Sequence, residues 1–349
     1  MADLAATAEP AREFAYGGQR FYLADGFRWL GEAPDNSVHA VVTDPPYGLI
    51  EYAPDQQRKL RIGRGGVWRL PPAFDGASRR PLPRFTVLGE AGRQAIVTYF
   101  ERWGRLLVRV LRPGGHLVIA GNPLVSPLVA IALERAGLER RGELVRLVRT
   151  FRGGDRPKGA DREFPSVSTM PRSCWEPWGL YRRPIAYPTV AENLRAWATG
   201  GLRRLSDKTP FLDVIESGQT PLRERRIAPH PSLKPQDFLR QLVCAVLPTG
   251  AGVVLDPFAG CGSTLAACEA LGVEGVGMEI DPHYFDMGTT SVPRLAALYP
   301  RELDLRAGEP GASVAGQACE RPVGDGPLQP LLDWNAGEII AAERDGGHP

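Results

Sequence analysis

The 349-residue chain is short of several features that would settle its class at once. Its five cysteines (174, 244, 261, 268 and 319) include no C-x-x-C pair, which speaks against a zinc site or a disulfide framework and fits a reducing cytoplasm. No apolar run is long enough to cross a bilayer, and the stretch MADLAATAEPAREF lacks the basic-then-apolar pattern of a secretory signal. Net charge is also nearly missing, at +2 from 42 basic and 40 acidic residues. Hydrophobic content of 43% is ordinary for a globular protein.

The near-neutral total hides an uneven distribution. Eight basic residues (58, 59, 61, 64, 69, 79, 80, 84) lie between Arg58 and Arg84 against one acid, Asp75. A second basic segment, 195–226, contains Arg203 and Arg204, whereas acids dominate beyond residue 300. Such segmentation suggests a polyanionic partner.

VHAVVT (38–43) is a continuous run of the kind buried on both faces of a parallel sheet. Helical spacing continues the pattern at 94–111 and stops at R-P-G-G (112–115); HLVIAG (116–121) reads as a strand and 123–137 as a helix. Strands are expected at 143–151 and 176–184, the latter confined by its prolines to an edge or a short piece. Then come a helix at 234–248, a strand at 252–258, a helix at 263–272, a strand at 273–280 and a helix opening at Asp281-Pro282. Alternating strands and helices predict an α/β, doubly wound parallel sheet. Residues 51–92, 152–173 and 185–229 break that rhythm and are rich in arginine, glycine and proline.

Two stretches carry chemistry. LDPFAGCGST (255–264) sets Gly260 and Gly262 between a strand and a helix, where a ligand can approach the backbone. The next strand ends in Glu279, the place of a ribose-gripping acid in doubly wound nucleotide sites. TDPPYG (43–48) delivers Asp44 at a strand end and stiffens the adjoining turn with Pro45 and Pro46.

Together these residues resemble the S-adenosylmethionine-dependent amino-group DNA methyltransferases. DPPY (44–47) looks like their catalytic motif, DPFAGCGST (256–264) like their cofactor motif and GMEID (277–281) like their ribose motif; HPSLKP (230–235) is similar to their H-P-x-x-K-P element. The order, catalytic motif first, resembles the circularly permuted β class. The resemblance implies a Rossmann-like, class I methyltransferase fold. It divides the chain into an extension (1–19), a catalytic half (20–151), a target-recognition region (152–229), a cofactor half (230–300) and an acidic tail (301–349).

The resemblance also assigns roles. Asp44 and the Pro45 carbonyl would accept the two N–H bonds of an exocyclic amine, Pro46 would hold the turn, and Tyr47 would stack on a flipped base. Asp25, Lys234, Asp256, Phe258, Gly260, Gly262, Ser263 and Glu279 would line the cofactor. Arg58, Lys59, Arg61, Arg64, Arg203 and Arg204 would contact double-stranded DNA; no metal is implied. Adenine N6 is the favoured target because the motif begins with an acid, with cytosine N4 the alternative. An RNA methyltransferase and a non-catalytic DNA-binding module are the other classes to be distinguished. A homodimer, a cognate restriction endonuclease and a cytoplasmic, nucleoid-associated setting in a bacterium or archaeon are further implications.

Overall fold

A computed structural model of the chain describes residues 12–46, 89–123, 125–148, 154, 156–157, 159–169 and 171–299. Among them, nine strands form one sheet: β1 (Glu13–Tyr16), β2 (Gln19–Leu23), β3 (Val38–Thr43), β4 (Leu111–Ala120), β5 (Glu139–Leu147), β6 (Trp175–Arg182), β7 (Val214–Glu216), β8 (Val253–Asp256) and β9 (Glu274–Glu279). Their spatial order is β1-β2-β9-β8-β3-β4-β6-β5-β7. The run from β2 to β4 is parallel throughout. This is a doubly wound, Rossmann-like sheet.

Both faces are covered, as the unbroken apolar run of β3 requires. On one face, Val41, Leu117, Leu255 and Val276 pack against Leu30 of α1 (Gly26–Glu32), Phe100, Trp103 and Leu107 of α2 (Glu90–Val110), and Leu133 of α3 (Ser126–Arg135). On the other, Ala40, Val42, Val118 and Trp178 meet Phe238, Leu239 and Leu242 of the helix Gln236–Val246, together with Ala267 and Cys268 of the helix Ser263–Leu271. Trp103 and Trp178 are both fully buried. Truncating either ring would remove about 3–5 kcal/mol of packing.

The chain steps from β3 to β4 on one side and from β8 to β9 on the other, so the winding reverses between β8 and β3. In open α/β sheets that reversal leaves a crevice at the carboxyl edge, where ligands bind. Asp44 and Asp256 both sit there, although two hundred residues separate them.

Four expectations are corrected. The R-P-G-G stretch is bulged inside β4: the partner of Val38 is Leu111 and that of Ala40 is His116, with Gly114 at φ +83°. The strand expected at 143–151 runs from Glu139 to Leu147, because Gly142 (φ +137°) makes an irregularity in the ladder. The third concerns β6, which lies inside the sheet, paired on both sides despite Pro177. In an antiparallel strand a residue's N–H and C=O point the same way, and the Pro177 carbonyl accepts from Gly121 N (2.8 Å). The missing N–H is therefore aimed past Ala120, where β4 has already ended.

The fourth concerns 185–229, expected to be irregular, which holds a helix and the strand β7. β7, parallel to β5, brings Ser217 and Gly218 to the carboxyl edge, whereas the residues between β6 and β7 run along the amino edge, opposite the crevice. There Asn193, in α4 (Val190–Trp197), donates to the carbonyls of Pro113 (2.9 Å) and Thr199 (2.8 Å) and accepts from Ala186 N (3.0 Å). Thr199 Oγ1 also donates to the Pro113 carbonyl at 2.6 Å. The connection from β5 to β6 begins and ends at the carboxyl edge, so residues 154–169 and 171–174, where described, emerge beside the crevice. Residues 47–88 and 300–349 lie outside the described part, as do the expectations placed on them.

At the amino edge, His39 is buried, and its Nδ1 accepts from Val253 N at 2.9 Å. Burial pushes His39 down to about 4 and His116, on β4, down to about 3. Between those values and the usual 6.5 the unfolded chain binds more protons, so stability falls as pH is lowered through that window. Asp256, pushed up by burial to about 6, acts in the opposite sense but over a narrower span. Unfolding free energies from denaturant titrations are therefore expected to drop between pH 6.5 and 4, by several kcal/mol in all, on the order of 1.4 per pKa unit; a flat profile would contradict these buried neutral imidazoles.

Candidate active site at the carboxyl edge

The crevice is tied together from below. Thr43 Oγ1, ending β3, donates to Asp256 Oδ1 at 2.7 Å, at the end of β8. The same oxygen accepts from Phe258 N at 3.2 Å, and the Thr264 side chain also bonds the Asp256 carboxylate. Asp256, only 3% exposed, thus spends its hydrogen-bonding capacity inside the protein. It braces the loop from inside. Phe258 likewise turns toward the core, its ring 5.7 Å from that of Trp103.

The loop above the brace has the backbone that its glycines permit. Gly260 has φ +55° and Gly262 φ +77°, a region that disfavours side chains. A Cβ on Gly262 would lie 2.4 Å from Val292 Cγ2, in the helix Pro282–Ala296 packed behind. A Cβ on Gly260 would come to 3.1 Å from His230 Nε2. Ser263 opens the helix Ser263–Leu271, with Gly262 as its left-handed N-cap, so that the helix N-terminus faces the crevice; the Ser263 carbonyl accepts from Gln236 Nε2 at 2.9 Å.

Glu279 closes β9 on the same edge. Its Oε2 accepts from Gly260 N (2.9 Å) and its Oε1 from Asp281 N (2.8 Å), so the carboxylate is fixed against the glycine loop. Burial raises its pKa, against the lowering effect of those amides. Next to it, Ile280 is 68% exposed, an apolar face at the rim that no pattern in the sequence singles out. Asp25 lies one step along the edge, where β2 pairs with β9 at Leu23 and Glu279. Its carboxylate caps α1, accepting from Phe27 N (2.7 Å) and Arg28 N (3.2 Å), a role its N-terminal position dictates.

On the other side of the crevice, Asp44 is joined by Lys234, whose Nζ donates to Asp44 Oδ2. Lys234 was expected to line the cofactor; its ammonium lies against Asp44. Its ammonium is also 3.4 Å from Glu176 Oε1, on β6. Burial alone would lower Lys234, but Asp44 and Glu176 hold its pKa above the usual value. His230 stands between the lysine and the glycine loop, packed edge-on to Tyr284 with ring centroids 4.4 Å apart. Burial, then Lys234 and His283, push it down to about 4, so it is neutral at physiological pH.

Asp44, Pro45, Pro46, Lys234, Gly260, Gly262, Ser263 and Glu279 are therefore gathered at one edge. Arg203 and Arg204 are not. Arg203 packs against Gly250, ahead of β8 at the amino edge, and its N–H donates to the Ala245 carbonyl at 2.8 Å. Arg204 bonds the carbonyls of its own loop, at Ser206 (3.3 Å) and Lys208 (3.0 Å). Tyr47, Arg58, Lys59, Arg61 and Arg64 lie outside the described residues. Glu176 and Arg146 escape a reading of the sequence because charges inside apolar strand patterns look solvent-facing. Of the two tryptophans on β6, Trp178 is core and Trp175 is 38% exposed at the edge.

Fold and site define a doubly wound sheet with an acid, Asp44, beside a glycine loop at its carboxyl edge. Residues 186–290 match the N6/N4 methyltransferase family model, described as DNA methylase. The chain is similar to the type II methyltransferase M2.DpnII of Streptococcus pneumoniae, at 22% identity over 75% of this chain and 84% of that protein. It is also similar to the type II methyltransferase M.HindIII of Haemophilus influenzae, at 24% identity over 74% and 90%. Among solved structures, M1.HpyAVI bound to S-adenosylmethionine aligns with a TM-score of 0.47 and 16% identity, over 78% of this chain and 98% of that one. The cytosine-N4-specific PvuII DNA methyltransferase aligns at 0.49 and 12%, over 80% and 91%. Part of the chain thus matches a DNA methylase family, and most of its length is similar to type II methyltransferases.

Gly262→Ala tests the loop. With a positive φ and a 2.4 Å clash against Val292, it should destabilise the fold by about 1–3 kcal/mol and weaken cofactor binding. Thermal unfolding and equilibrium dialysis would check this, and native-like values in both would show that the turn tolerates a side chain.

Proposed function

We propose that this enzyme methylates adenine N6 at a specific sequence in duplex DNA, on a base flipped out of the helix. The observation that carries the reading is the joining of the ends of the central strands β3 and β8 by Thr43 and Asp256 at 2.7 Å, which holds Asp44 beside the glycine loop. The acid-first D-P-P-Y order supports adenine over cytosine N4. The match over residues 186–290 to a DNA methylase supports DNA over RNA.

The residues present fit the cofactor. The turn at Gly260 and Gly262 presents the N-terminus of the helix Ser263–Leu271 to the crevice, Glu279 offers a fixed acceptor for ribose hydroxyls, and the exposed Ile280 suits the face of an adenine ring. When bound, S-adenosylmethionine supplies an electrophilic methyl group on a sulfonium. The chain's task is to make the amine nucleophilic. Its lone pair is delocalised into the base, and acceptance of one N–H by Asp44 and the other by the Pro45 carbonyl favours a pyramidal nitrogen with the pair turned outward. Asp44 and the Pro45 carbonyl would hold the amine while its lone pair took the methyl group, the C–S pair returning to sulfur, and the nitrogen would then release a proton to water. Residues 154–169 and 171–174, at the same edge, are the proposed readers of the target sequence. Because the relatives named above are type II methyltransferases, a companion endonuclease is part of the proposal.

Methylation of unmodified plasmid DNA followed by modified-base sequencing would give base and sequence together; N4-methylcytosine as the product would overturn the adenine assignment. Asp44→Ala should lose roughly a thousandfold in methyl transfer while binding the cofactor within a few-fold of the native enzyme; full turnover would refute the role of Asp44. Glu279→Ala should raise the cofactor Kd by about tenfold or more, through loss of a charged acceptor. Unchanged affinity in a titration would remove Glu279 from the ribose.

A further inference from the structure

Behind Asp44 runs a line of alternating charges that the methyl transfer itself does not call for. Lys234 Nζ bonds Asp44 Oδ2 and lies 3.4 Å from Glu176 Oε1. Glu176 Oε2 accepts from Arg146 (2.8 Å) and from Trp178 Nε1 (3.4 Å). Arg146 donates further to Ser217 Oγ (3.1 Å) and the Gly218 carbonyl (3.0 Å), with its guanidinium 5.1 Å from the Phe238 ring centre. The side chains of Lys234, Glu176 and Arg146 are 9%, 21% and 6% exposed. Two acids and two bases give zero net charge, drawn from four separate segments: the end of β3, β5, β6 and the loop before the helix Gln236–Val246.

Buried ion pairs of this kind are a poor way to stabilise a fold, since apolar residues of like volume serve as well or better. Their position suggests another use. Asp44 faces the carboxylate of Asp256 across the crevice, and a second negative charge disfavours ionisation. A protonated Asp44 would be a poor acceptor for a substrate N–H. Lys234, bonded to Asp44, offsets that repulsion, whereas the neighbouring His230 is neutral. A flexible lysine does so only if its ammonium is kept in place.

We propose that Glu176 and Arg146 are positioning residues that anchor Lys234, and that Lys234 thereby keeps Asp44 an ionised, fixed acceptor for the base amine. This rests on the role given to Asp44 above. The anchoring explains why β6 carries an acid two residues before the core tryptophan, and why β5 carries an arginine pointing into the structure.

The experiment is the pH dependence of kcat and KM on unmethylated DNA with methyl-labelled S-adenosylmethionine, from about pH 6 to 9. Glu176→Gln keeps the shape and removes the charge. Its kcat should fall about tenfold at neutral pH, with an acid limb moved upward, while cofactor Kd stays within about twofold. Lys234→Met should show a larger loss with the same limb, and Lys234→Arg should restore most of the rate. Native kcat and pH profile in Glu176→Gln would overturn the inference. So would a Lys234→Met enzyme whose cofactor Kd rises while its profile is unmoved, because that places the lysine on the cofactor. If Glu176→Gln does not fold, the contrast between Lys234→Met and Lys234→Arg decides alone. An inactive Asp44→Ala beside a native Glu176→Gln sinks this inference only, whereas an active Asp44→Ala sinks the reading it rests on.

Discussion

Everything at the site depends on two strands from distant parts of the chain lying side by side. β3 and β8 pair in parallel through Ala40–Val254 and Val41–Leu255, and their ends are locked by Thr43 and Asp256. That single neighbour relation fixes the distance between the amine acceptor and the glycine loop. It also fixes the winding reversal, and with it the crevice. A slip in this pairing would separate acid from loop even if every local element formed.

The site is built from groups whose charge states the fold has set against their ordinary preferences. Asp256 is held inside at about 6, His230 is neutral at about 4, and Lys234 remains a cation despite full burial. Each shift has a distinct cause. Burial explains the first, burial aided by a neighbouring cation the second, and two nearby carboxylates overcoming burial the third. The contrast assigns an internal brace to one acid and an external acceptor to the other, although both end hydrophobic strands and precede a proline.

Much of this was legible in the sequence because its signals were local. The apolar run 38–43, the glycines at 260 and 262, the acid at 279 and the proline-opened helices all appear where pattern and turn chemistry place them. What stayed hidden was non-local or masked by a competing signal. The short strands β1, β2 and β7 carry too few residues for their period to stand out. The helix Val190–Trp197 has a readable start, since Thr189 and Glu192 form a capping box, but it lies in a stretch whose composition reads as irregular. Pro177 argued for an edge strand, and only the end of β4 beside it made an interior place tolerable. Glu176 and Arg146 could not be found from one strand at a time, because their meaning lies in a pair across strands and a lysine from elsewhere.

The pairing of β3 with β8 also bears on how the enzyme comes into being. A ribosome releases the half that contains Asp44 well before the strand that lies beside it, and the intervening residues must fold or wait. Contacts spanning more than two hundred residues form late and slowly compared with local helices. An unfinished chain therefore has its amine acceptor but no bed for the cofactor beside it. The crevice is complete only once β8 and the glycine loop after it have been made.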